Sequence, residues 1–166
     1  MVHQIGQREH LGELLAEGIV KSVEALGGVA AEFAVHVKGL DFPAHDPRAK
    51  VSSALGYVTS NRGACHLRGF GTDIYGGFSN LGKAIGIREE VPIKFRTIDD
   101  PKFARDIAIS QNLSEVNNSL GICRQTLSSG SLAIENIFDL LIESIYCLTG
   151  ISFTLDEILQ IGERIF

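Results

Sequence analysis

The chain has 166 residues, of which 45% are hydrophobic and 21% charged. That is enough apolar material for one packed domain, and it excludes a disordered chain. The net charge of -5, with no basic stripe, argues against a nucleic-acid partner.

Helix signals dominate from the start. Met1 is followed at once by helix-like sequence without its own cap. Leu11, Leu14, Leu15, Ile19, Val23 and Leu26 recur at three-to-four spacing and predict one apolar stripe. Gly27 and Gly28 then end the run. Val29 to Val37 suits a short helix or a strand equally. Pro43 and Pro47 break regularity on either side of His45. Asp46 and Pro47 next predict a helix start, with Asp46 as N-cap and Pro47 at the first helical position. That helix is expected to run through Leu55 and Val58 to about Asn61.

Glycines from Gly69 to Gly86 make the middle third loop-rich. Asp100 and Pro101 repeat the helix-start signature, with Phe103, Ile107 and Gln111 following. A further element from about Leu113 carries Val116 and Leu120 into Gly121. Ser131 is read as the cap of a long helix whose apolar face holds Ile134, Ile137, Phe138, Leu141, Ile145 and Leu148. Gly150 ends it. Thr154 and Glu157 form a capping box for a last helix, which is still running at Phe166. Both ends read as cut. The fold class expected is all-α: one multihelical domain over 1–166, with long Gly- and Pro-rich loops.

No membrane span is expected, because Glu135, Asn136, Asp139 and Glu143 interrupt the longest apolar region. No signal peptide is visible. Cys65, Cys123 and Cys147 are an odd, sparse set that suits a reducing compartment, so a cytoplasmic location is expected.

Polar chemistry concentrates between His36 and Phe70, where three of the five histidines fall. A self-contained zinc site is disfavoured, since Cys65 and His66 are adjacent and no Cys-x-x-Cys or His-Glu-x-x-His occurs. A four-iron cluster takes four cysteines, and the chain has three. Cys65 could be activated by His36 or His45 if they meet through space, as in a small Cys-His hydrolase; the alternative, a buried filler, is the commoner fate of a free thiol. The glycines of 69–77 match no phosphate-binding loop. His66 follows a predicted helix end between Arg62 and Arg68, cations that disfavour imidazolium. It reads either as a proton carrier or as a surface histidine at a helix C-terminus. Asn118 to Arg124 is the remaining cluster. There Gly121 would permit close backbone approach and Arg124 would favour thiolate at Cys123; a helix end with a buried thiol reads equally well.

These segments resemble a known family. The stretch from Gly12 to Gly18, HVKGL at His36 to Leu40, PAHDPR at Pro43 to Arg48 and LGYVTSNRGACHL at Leu55 to Leu67 are similar to the C-terminal part of the aldehyde ferredoxin oxidoreductases. The likeness continues to Ile161–Ile165. The resemblance implies an all-helical fold and an enzyme that oxidises aldehydes to carboxylic acids. It implies tungsten or molybdenum on two pterins, beside a four-iron cluster that passes electrons to ferredoxin. The family's fourth cluster cysteine lies in an Asp-x-x-Gly-Leu-Cys motif that also touches a pterin. Asn118 to Cys123 matches it, with Asn118 for Asp and Ile122 for Leu. An amide hydrogen-bonds but carries no charge.

By this resemblance Cys123 is the cluster ligand, and Asn118, Gly121, Ile122 and Arg124 are pterin-side residues. His66 corresponds to a histidine near the tungsten. The N-terminal pterin domain and the three-cysteine motif are missing, so neither cofactors nor turnover are expected of the chain alone. The alternative is a stand-alone helical module that binds a partner protein without catalysis.

Overall fold

A computed structural model describes residues 1–49, 51–68, 101–123 and 137–166. Among the described residues there are eight helices and one two-residue strand pair, so the all-α class holds.

The N-terminal part is a chain of short helices: α1 (Val2–Gln7), α2 (Leu11–Ala16), α3 (Ile19–Leu26) and α4 (Ala30–Phe33). The single stripe expected over 11–26 is therefore two helices. Gly18, at φ 85°, breaks the helix after Glu17, and the Ser22 hydroxyl donates to the Leu14 carbonyl across the break at 2.8 Å. The apolar spacing carries over the bend, which is why periodicity alone does not register it. Gly27 and Gly28 both take positive φ and stop α3 as expected.

The ambiguous run after them is resolved into α4 followed by β1 (His36–Val37). That strand pairs antiparallel with β2 (Leu40–Asp41), Val37 facing Leu40. Lys38 and Gly39 make the two-residue turn, both at positive φ (52° and 80°), the geometry that matches hairpin twist.

Asp46 is not the N-cap of the next helix, and Pro47 is not its first residue, because a turn over 47–49 intervenes; Asp46 caps that turn instead. Its carboxylate accepts from the Arg48 amide at 2.8 Å and its carbonyl from the Ala49 amide at 3.1 Å. The helix proper, α5 (Val51–Thr59), begins later and ends two residues earlier than expected. The glycines from Gly69 to Gly86, Asp100, and the predicted cap Ser131 with Ile134 lie outside the described residues.

One continuous helix, α6 (Pro101–Leu120), replaces the two elements expected there. Nothing after Pro101 breaks it. Its buried face mixes Phe103, Ile107, Leu113 and Val116 with Asp106, Ser110, Gln111, Ser114, Glu115 and Asn117, so its hydrophobic periodicity is blurred and reads as two shorter runs.

The helix α7 (Ile137–Thr149) supplies Ile137, Phe138 and Leu141 to a cluster with Leu113, against which Ile122, Ile145, Leu155 and Leu159 pack. Leu148, expected on that face, is 86% exposed; its position near the end of α7 carries it past the core. Gly150, at φ 73°, closes the helix.

The last helix, α8 (Leu155–Ile165), lies along α6. Ile158 is buried there, and Gly162 sits against the Asn112 backbone with no room for a Cβ. Its capping box is formed. The Glu157 amide donates to the Thr154 hydroxyl at 3.2 Å, and the Glu157 carboxylate accepts from the Thr154 amide at 2.8 Å. Thr154→Ala is expected to cost about 1 kcal/mol, measurable by urea denaturation.

The Thr154 amide holds the Glu157 pKa below its ordinary value. The Glu157 contribution is therefore complete above the ordinary carboxylate pKa. It is lost as pH falls through the depressed folded value. Glu157→Gln should remove that part of the acid dependence.

Candidate functional site

The His66 segment is built on α5. Ser52, Ser53, Gly56 and Tyr57 face inward, and Tyr57 is 1% exposed. Its hydroxyl donates to the His45 carbonyl at 3.0 Å. Burial pushes the Tyr57 pKa up, so the group stays a phenol and keeps donating. The Phe42 ring packs on Tyr57 at 5.1 Å between centroids. Tyr57 thus pins the Pro-rich loop to α5 by its tip and its face.

After α5 the chain turns through Ser60 and Gly63. Lys38, at the hairpin tip, donates to the Ser60 carbonyl at 2.9 Å. Gly63 takes φ 109° beneath the Val37 carbonyl. Ala64 and Cys65 are then buried, and His66 is half-buried. Its ring meets that of His45 at 5.3 Å, tilted by 58°.

The histidines of the two sequence blocks are therefore brought together, although 21 positions separate them in the chain. His36 is exposed, and its Nδ1 accepts from the Gly39 amide at 3.3 Å inside the hairpin. The burial of Cys65 fits a core filler. At the rim of the loop, Arg48 grips Asp46 through Nε and Nη2, down to 2.6 Å, and holds its carboxyl pKa at about 2.

The second group of residues closes α6. Gly121 is at φ 67°. Its amide donates to the Asn118 carbonyl at 3.3 Å, and the Ile122 amide to the Asn117 carbonyl at 3.0 Å. This is a Schellman cap, and Ile122 completes it by packing into the α6–α7 cluster. Among the described residues no atom lies within 4 Å of the space where a Gly121 side chain would point, and the left-handed backbone favours glycine there. Cys123 follows the cap with its thiol exposed. Asn118 is exposed; Arg124 lies outside the described residues.

A residue that the sequence left unremarked links the two groups. Glu115 is 3% exposed. One carboxylate oxygen is 3.4 Å from Arg68, two residues beyond His66, and the other 3.5 Å from the Asn118 amide. Arg68 also reaches the Asn61 side chain at 3.4 Å. One turn earlier on the same face, Gln111 donates to the Thr59 hydroxyl at 2.8 Å. The only signal in sequence was spacing: Gln111, Glu115 and Asn118 fall at i, i+4 and i+7.

Among the described residues, no three His, Cys, Asp or Glu side chains converge as a metal ion would require. No described helix is long and apolar enough to cross a membrane. Of the three cysteines, Cys123 and Cys147 are exposed, Cys123 directly after the α6 cap. Cys65 is buried, and Cys147 stands on α7.

The arrangement is that of a helical domain in which a histidine loop and a cysteine-bearing helix end are tied together. Residues 1–166 match the family model "Aldehyde ferredoxin oxidoreductase, domains 2 & 3", and the chain belongs to that family. It is 31% identical to the tungsten-containing aldehyde ferredoxin oxidoreductases of Pyrococcus horikoshii, Pyrococcus furiosus and Thermococcus kodakarensis. Each of these alignments covers 99% of this chain and 24% of the relative, so the chain spans about a quarter of their length.

Proposed function

We propose that the chain is the helical part of a tungsten- or molybdenum-dependent oxidoreductase that turns aldehydes into carboxylic acids. The observation that carries this reading is the family match along all 166 residues, in a chain whose histidine loop and cysteine-bearing helix end are physically joined. In the whole enzyme Cys123 ligates a four-iron cluster. Its exposed thiol suits a donor that completes a set held mostly elsewhere. Asn118, Gly121, Ile122 and Arg124 form one wall of a pterin cradle, with the Asn118 amide able to donate as well as accept. His66 holds or moves a proton at the substrate oxygen. When bound, the metal and cluster supply the oxidation and carry its electrons to ferredoxin. The remaining domains of the polypeptide, ferredoxin and a small aldehyde are the partners this assigns.

The test is made in the chain joined to the rest of its polypeptide. Cys123→Ser should lower the iron content and abolish ferredoxin reduction. His66→Ala should retain iron and tungsten but slow aldehyde oxidation by about 10²- to 10⁴-fold. The isolated chain should bind neither metal stoichiometrically and show no dye-linked oxidation. Full iron in Cys123→Ser, or stoichiometric tungsten in the isolated chain, would count against the proposal.

A second reading, a stand-alone module that docks on a partner protein, draws on the exposed Leu26, Val29, Phe33 and Val35 at the α3–α4 end. An apolar surface of this kind is a recognition feature. Gel filtration decides it: a clean monomer with no dye-binding surface removes the reading.

A further inference from the structure

The Glu115 carboxylate is an unusual group to bury. Taking it out of water is costly, and one partly exposed guanidinium 3.4 Å away offsets that only in part. An apolar residue of similar size would serve packing equally well. What Glu115 does that an apolar residue could not is pair its own helix with Arg68 of the His66 turn while also accepting from Asn118 one turn on along that helix.

On one side it faces Arg68, whose Nη1 also donates to the Asn61 side chain after the end of α5. On the other it faces Asn118, whose carbonyl accepts the Gly121 bond of the α6 cap. Gln111 fixes the same face of α6 to Thr59 one turn earlier, so the helix cannot roll without breaking both bridges. The two N–H bonds of Arg68 Nη1 lie in the guanidinium plane and serve the two acceptors from one nitrogen.

We infer that Glu115 is a positioning residue: with Arg68 and Asn118 it clamps the His66 turn to the Cys123 end of α6 and fixes the separation of those two groups. Glu115 touches neither. It acts through Arg68, two residues from His66, and through Asn118, whose carbonyl accepts the Gly121 bond of the cap that aims Cys123. The functional weight of the clamp rests on the redox reading above; its existence does not.

Electron–electron spin distance measurement on the 166-residue chain tests it without any cofactor. Nitroxides are placed on Cys123 and on Leu67→Cys, in a Cys147→Ser background. Leu67, Cys123 and Cys147 are exposed, whereas Cys65 is buried. The parent chain should give a single narrow distance peak. Glu115→Gln, which keeps shape and removes charge, should lose that single peak to a broad or split distribution while the far-ultraviolet dichroism stays helical. Arg68→Met breaks the same pair from its more exposed side and serves if Glu115→Gln does not fold.

A purely stabilising Glu115 would lower the melting temperature and leave the distance peak unchanged in the cold. An unchanged narrow peak in whichever variant folds overturns the inference. Failure of the redox reading is seen separately, in the iron content of Cys123→Ser.

Discussion

Gly162→Ala should lower the melting temperature of the chain by roughly 6–12 °C. The methyl would have to occupy space already filled by the Asn112 carbonyl group. That obstacle is backbone in the middle of α6 and cannot rotate away like a side chain. The crossing must therefore open, and α6–α8 is the most extensive helix contact among the described residues. Overpacking of this kind costs about 1–3 kcal/mol, and a rigid obstacle belongs at the upper end. At roughly 2–4 °C per kcal/mol for a chain of this size, the shift follows. Gly6 is the internal control. It is helical, with no described atom within 4 Å of where a Cβ would stand, so Gly6→Ala should stabilise by about 0.5 kcal/mol. Thermal melts of both variants read the difference, and a neutral Gly162→Ala would remove the close crossing as an explanation.

Gly63→Ala should be costly for a different reason. At φ 109° the backbone sits where an L side chain is strained by about 1–3 kcal/mol. In addition, the methyl would strike the Val37 carbonyl. Relief requires the β1–β2 hairpin to lift off the turn that leads to Cys65 and His66, so stability and the site change together. The His45–His66 ring contact should loosen. The readouts are a urea midpoint shift and movement of both imidazole resonances at fixed pH. Gly121→Ala separates the two contributions: it meets positive φ in open space and should cost only about 1–2 kcal/mol of backbone strain.

Features written into consecutive residues were legible in the sequence. The Thr154–Glu157 box and the stops at Gly27 and Gly150 each depend on neighbours within a few positions, whereas the helix start read at Asp46 and Pro47 is a turn ahead of α5. The break at Gly18 was hidden, because leucine spacing continues through it and glycine alone does not say whether φ is positive. The continuity of α6 was hidden by its buried polar face, since a glutamate or serine on a helix ordinarily reads as solvated.

Of the candidate site, the residue identities came from motif resemblance. The approach of His45 to His66 and the Arg68–Glu115 pair did not. Both are tertiary facts, set by how Tyr57 anchors a loop and how Gln111 aligns two helices. The cap at Gly121 shows the limit from the other side. The same residues read as a cofactor motif and as a helix stop, and the described structure displays the second directly.

That double reading bears on how such a sequence would decay. Gly121 ends α6, and Ile122 anchors the chain to the α6–α7 cluster, so selection for a folded domain guards both whether or not a cluster is ever bound. Cys123, exposed beyond the cap, owes nothing to folding. In a lineage freed from redox duty the thiol should drift first, while the glycine and the aliphatic residue before it persist. Within Asn118 to Cys123, the cysteine is the position whose retention the proposed cluster role, and not the fold, would explain.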